Sequence, residues 1–205
     1  MLSIYKIAPR FIGLGGVLIT LLMFGLTQAT EAAEPKKASA RQKVAWQTEW
    51  AKRVGVELEY SFDSSGEAVW DSSEHPLVFM TTEGPGYGGM LGGVPLPGFA
   101  IFDADTRKPI LSKDYDVLSW GWSNVFEPHG LGTSPDGKWI YLPTGEGSFQ
   151  TMGDNVGRYL IINAETLKID KVIKIPGQAH HAKSFTTENG EQRVILYGWS
   201  QPLFV

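Results

Sequence analysis

The sequence predicts an all-β protein assembled from repeated antiparallel units of short strands, and three observations predict it. First, residues 126–176 contain four short strand-like stretches separated by turns, the first of them the small-residue segment 126–133. Trp139-Ile140-Tyr141-Leu142, Arg158-Tyr159-Leu160-Ile161-Ile162-Asn163 and Asp170-Lys171-Val172-Ile173-Lys174-Ile175 are rich in aromatic and branched residues. Second, parts of this pattern recur. Ile101-Phe102-Asp103-Ala104-Asp105-Thr106 anticipates Ile161-Ile162-Asn163-Ala164-Glu165-Thr166, and Leu77-Val78-Phe79-Met80 stands where Trp139-Ile140-Tyr141-Leu142 stands. Third, the composition includes 24 Gly and seven Trp, which suits many turns around a bulky core. Four short strands, tight turns and a restart are the pattern of a propeller blade.

Residues 1–33 read as a cleaved signal peptide. Lys6 and Arg10 precede an uncharged apolar run over 11–26, and small residues around Ala29, Ala32 and Ala33 suit a signal peptidase. That run is shorter than the ~20 residues of a spanning helix. The mature chain is therefore expected to be periplasmic or secreted, with no membrane attachment after cleavage. Residues 34–55 form a polar linker and N-terminal arm. The linker, 34–41, is expected to be mobile. Val44, Trp46, Trp50, Ala51 and Val54 space an amphipathic helix or arm lying on the domain.

Residues 56–205 are expected to be a partial propeller, in units of about 56–115, 126–176 and an incomplete 178–205. Val56-Glu57-Leu58-Glu59-Tyr60-Ser61-Phe62 alternates as a half-buried strand. The Ser- and Asp-rich loops at 63–67 and 71–76 lack calcium-loop spacing and read as Asx and Ser turns. The Gly-rich loop 84–95 lacks the Lys-Ser/Thr and helix start of a phosphate cradle. Met90 and Met152, in corresponding loops, read as packing residues rather than copper ligands. In the second unit, Ser134-Pro135-Asp136-Gly137 is a turn, with Pro to fix φ and Gly free to take φ > 0. Glu188-Asn189-Gly190-Glu191 repeats it, ahead of the strand Arg193-Val194-Ile195-Leu196-Tyr197. Three units fall short of the ~4–8 blades that close a ring. The chain therefore reads as a fragment of a longer propeller, with apolar blade faces awaiting neighbours.

The absence of cysteine excludes disulfides, thiolate metal ligands, c-type haem attachment and a cysteine nucleophile. A formal charge of −4 without a basic stripe excludes nucleic acid as a partner. No Gly-x-Ser-x-Gly elbow marks a hydrolase. What chemistry remains lies with four histidines: His75, His129, His180 and His181. His129 precedes the first strand of the second unit, and His180-His181 is placed equivalently before the first strand of the third. First strands of adjacent blades line the central channel, so the three imidazoles are expected to converge at its mouth. Neighbours on a strand point to opposite sides, so bringing in both His180 and His181 calls for a bulge, placed near Pro176-Gly177. An all-imidazole set leans towards copper or zinc. Against this stands the plainer reading, in which the rings cap strands and bond neighbouring backbone.

The Ser134–Leu142 motif resembles the blades of the Tyr-Val-Thr-Asn-repeat propellers. Asn155-Val156-Gly157-Arg158-Tyr159-Leu160-Ile161-Ile162-Asn163, followed by residues 167–176, resembles the propeller domain of nitrous oxide reductase. That resemblance implies about seven blades when complete, a copper cluster held by channel-mouth histidines, a small-molecule substrate and an electron-donor protein. It implies metal-ligand roles for His180, His181 and His129 and an oxidoreductase activity, with no catalytic residue assigned. The lack of cysteine removes the family's electron-entry copper site, and four histidines are too few for its full cluster. A non-enzymatic binding propeller is the alternative.

Overall fold

The computed structural model describes residues 35–46, 48–70, 76–82, 96–122, 125, 129–146 and 156–199. The protein is mostly β, in three antiparallel sheets. The signal-like segment 1–33, His75, and most of the Gly-rich loops (83–95 and 147–155) lie outside the described residues.

The middle sheet carries the expected meander: β5 (Gly132–Thr133), β6 (Trp139–Glu146), β7 (Val156–Asn163) and β8 (Ile169–Lys174). Ser134 closes the first turn. Its Oγ accepts from the Trp139 N–H at 3.0 Å, and Gly137 takes φ 72°. Trp139 pairs Asn163 and Leu142 pairs Leu160, the antiparallel register expected from the sequence. Pro143 sits inside β6 without breaking the β6–β7 ladder. Trp139 turns its carbonyl to Ser134 on the β5 side, so by alternation Pro143 points its missing N–H away from β7.

The repeat is legible bond by bond. In the turn after β7, Asn163 Oδ1 accepts from the N–H groups of Glu165 (2.9 Å) and Thr166 (3.2 Å), and Leu167 is left-handed at φ 54°. Between β3 (Gly98–Asp103) and β4 (Pro109–Asp114), Asp103 Oδ1 accepts from Asp105 (2.8 Å) and Thr106 (3.0 Å), and Arg107 is left-handed at φ 58°. Both turns follow a bulge at the same point, Ile101/Phe102 and Ile161/Ile162. The third unit repeats the Ser134 turn, with Thr187 Oγ1 accepting from the Glu191 N–H at 3.0 Å and Gly190 at φ 84°.

The units are not equal, however. The expected unit 56–115 gives only three strands to its own sheet: β2 (Leu77–Thr82), β3 and β4. Its anticipated first strand, β1 (Glu57–Ser61), pairs antiparallel with β8 and becomes the fifth strand of the middle sheet. The third unit supplies two strands, β9 (Gln178–Thr186) and β10 (Gln192–Trp199). No sheet closes on itself among the described residues.

The clean alternation of β1 predicts one buried face, and the structure splits it. A bulge between Leu58 and Tyr60 shifts the register by one residue, which exchanges the two faces. Val56 and Leu58 enter one core, Tyr60 and Phe62 the other. These cores lie on opposite faces of the middle sheet, as alternate residues of β7 show. Leu160 and Ile162 pack with Phe99 and Ile101 of the three-stranded sheet. Tyr159 and Ile161 pack with Ala179, Ala182 and Leu196 of the two-stranded one.

The N-terminal arm forms two short helices rather than one, α1 (Ala40–Trp46) and α2 (Glu49–Val54). Thr48 divides them: its Oγ1 caps α2 by accepting from the Ala51 N–H at 3.1 Å, and Gly55 at φ 78° ends it. The expected linker is tied down too. The Ala38 N–H donates to Glu59 O at 2.9 Å, and Ala38 is buried. Among the described residues no helix is long and apolar enough to cross a membrane.

Candidate functional site

The site forms where β9 crosses the ends of β5, β6 and β7. Two glycines permit the approach. A Cβ on Gly157 would stand 2.2 Å from Gly177 O, and one on Gly132 would stand 2.6 Å from Ala182 O, so backbone meets backbone at both points.

His129 lies three residues before β5, as the sequence suggested, and is exposed. His180 and His181 do not precede the first strand of the third unit; they lie inside β9. Counted from the matching turn residues Ser134 and Thr187, His129 corresponds to Ala182, not to the histidine pair. The three rings nevertheless meet. His129 Nδ1 and His180 Nε2 are 3.1 Å apart and share a hydrogen, and the His180 and His181 rings stack at 4.2 Å with planes 15° apart. Packing of β9 against the residues ahead of β5 brings them together, rather than repeat equivalence.

A bulge does the rest, though not at Pro176-Gly177. Tyr197 pairs His181 while Gly198 pairs Ala179, so His180 is the extra residue. That insertion cancels the up-and-down alternation locally and lets consecutive histidines lay their rings together. Gly130 completes the packing: a Cβ there would meet the His181 ring at 3.2 Å. His180, His181, Ala182, Lys183 and Tyr197 line an open cleft of about 260 Å³.

Partial burial pushes the His180 imidazole down to about 4, helped by the neighbouring His181 and His129 rings. The ring is therefore neutral at pH 7. Its proton is gained more readily in the unfolded chain, whose ordinary value is 6.5. The contribution of His180 to stability is thus complete above about pH 6.5 and is lost as the pH falls towards about 4. Denaturant midpoints of the metal-free protein should drop across that window more in the native chain than in His180→Gln. Parallel curves would contradict the assignment.

The copper expectation meets a mixed geometry. Two imidazole nitrogens at ~2 Å from one ion and 3.1 Å from each other subtend about 100° there, within the range of tetrahedral and square arrangements. His129 and His180 fit a shared ion on that count. His181 is stacked alongside His180 and reaches the same ion only after its ring turns. Among the described residues no group of three or more histidines, aspartates or glutamates is already arranged around a metal position.

A second polar cluster escaped the sequence reading. Arg158 on β7 is buried and donates to both carboxylate oxygens of Glu59 (2.5 and 3.0 Å) and to Glu146 (3.0 Å), with its guanidinium 4.1 Å over the Trp122 ring. Burial alone would push this guanidinium down; the two carboxylates, Glu59 foremost, more than offset that and hold it above its ordinary value. Glu59 is the bulged residue of β1, which is how it reaches across β8. The Glu57-Leu58-Glu59 alternation gives no sign of it, since alternation alone places Glu59 on a solvent face.

Comparison with protein-family profiles, with curated proteins and with solved structures gives no match to this chain.

Proposed function

We propose that this chain is part of an exported β-propeller that holds copper through His129 and His180, with His181 as third ligand, and acts as an oxidoreductase of the nitrous oxide reductase kind. The observation that supports it most is the 3.1 Å separation of His129 Nδ1 and His180 Nε2, the spacing of two ligands on one ion. The bonded, stacked sheets with their matching turns support the propeller reading, and residues 1–33 support export to the periplasm or outside the cell. Copper held there would supply one-electron chemistry for a small-molecule substrate, with an electron-donor protein as partner. The chain's own contribution is to fix the ring positions, keep His180 neutral and leave the cleft beside Lys183 and Tyr197 open.

A second reading, a non-enzymatic binding propeller, is favoured by one observation. The His129–His180 hydrogen bond and the His180–His181 stack are complete without an ion. Copper titration of the full chain by calorimetry separates the two. The expected result is one copper bound, with His129→Ala and His180→Ala each weakening it by more than the ~100-fold typical of losing a merely supporting residue, and Lys183→Ala unchanged. No uptake by the native chain would leave the binding propeller standing.

A further inference from the structure

Tyr159 is among the most deeply buried side chains of the protein, with its ring in the core between the middle sheet and β9–β10. Its hydroxyl emerges at the bulge, 2.6 Å from His181 O and 2.7 Å from Tyr197 O. His181 and Tyr197 are the ladder pair that closes the bulge on one side. A bulge interrupts ladder bonding, and backbone carbonyls beside it gain from another donor. Here one O–H serves two carbonyls from facing strands, as a three-centre bond. We infer that Tyr159 is a positioning residue for the histidine cluster, its hydroxyl pinning the bulge that turns the His180 and His181 rings to one side.

Burial holds the phenol well above its ordinary value, so the donor proton is present throughout the physiological range. Loss of the hydroxyl leaves two carbonyls at the bulge without this donor. The chain can then regain ladder bonds by slipping the extra residue out of His180. That slip separates the His180 ring from His129, and it acts on the site without Tyr159 touching any imidazole.

A plain packing role makes a different prediction, and Tyr115 supplies the comparison. It is also buried, and its hydroxyl donates to Leu167 O at 3.0 Å in the core on the other face of the middle sheet. Tyr159→Phe and Tyr115→Phe each delete one buried hydroxyl and keep the ring. The test reads nitrogen-15 imidazole resonances of the metal-free full chain, then its zinc and copper affinities. Tyr159→Phe is expected to abolish the coupling across the His129–His180 hydrogen bond and to weaken metal binding by about 10–100-fold, the range for loss of a supporting partner. Tyr115→Phe is expected to change neither. Native imidazole signals in Tyr159→Phe would overturn the inference.

The metal arm rests on the copper reading; the imidazole arm does not. If the native chain takes up no metal, that reading fails and the imidazole signals still decide the role of Tyr159. Should Tyr159→Phe fail to fold, 3-fluorotyrosine placed at 159 keeps the hydroxyl and strengthens its donation. A shift of the His180 signals, absent with the same label at 115, supports the inference; no shift refutes it.

Discussion

Replacing Arg158 by alanine should destabilise the protein by about 3 kcal/mol, at the low end of the cost of breaking a buried ion pair from one side. The side chain of Arg158 is 7 % exposed, while those of Glu59 and Glu146 are 21 % and 29 % exposed. Removing the cation therefore strands two carboxylates that water reaches only in part, which sets the effect below that of fully enclosed anions. The change also empties the space over Trp122, where the guanidinium packs at 4.1 Å and contributes a cation–π attraction of about 1 kcal/mol. Arg158→Lys should recover little, because an ammonium cannot make the forked contact with both oxygens of Glu59. Denaturant unfolding at pH 7 checks this directly. A loss below 1 kcal/mol for Arg158→Ala would mean that water screens the cluster as it does a surface pair.

That cluster shows where sequence reading stops. The meander from Gly132 to Lys174 was legible because each strand carries its own apolar period and each turn its own chemistry: Ser134 with Gly137, Asn163 with Thr166. All of that is local. The destination of β1 was not local. Nothing in Val56–Phe62 says that it leaves the first unit for the free edge of β8. Its bulge at Glu59 is invisible in a pattern that alternates without a break. The same holds for the histidines. The sequence points to their convergence, but through repeat equivalence, and the matching turns show that the equivalence does not hold. What brings the rings together is a bulge at His180 and the close approach of β9 to β5, both set by tertiary packing. In the sequence Tyr159 is simply a strand residue, since a buried hydroxyl acquires its meaning from carbonyls that are distant in sequence.

Gly132→Ala should affect stability and the site together, because this is one of the two positions where backbone meets backbone between the sheets, and the one on the His129 side. The new Cβ would lie 2.6 Å from Ala182 O, 2.8 Å from Ala182 C and 2.9 Å from Ala182 Cβ. None of those atoms is the end of a flexible side chain, so β9 itself has to move. Overpacking of this kind costs about 1–3 kcal/mol, and the backbone-to-backbone contact argues for the upper end. His181 and His180 lie one and two residues from Ala182 on the same strand, whereas His129 is attached to β5. Pushing the strands apart therefore lengthens the 3.1 Å His129–His180 contact in the step that relieves the clash. Gly137→Ala provides the contrast. There a Cβ meets nothing within 4 Å, and the penalty comes from φ 72°, at roughly 1–2 kcal/mol for a side chain held left-handed. Both variants should unfold earlier in denaturant, but only Gly132→Ala should lose the hydrogen-bond signature between the two imidazoles. If Gly132→Ala kept that signature at native strength, the histidines would be held together by something other than the approach of β9 to β5.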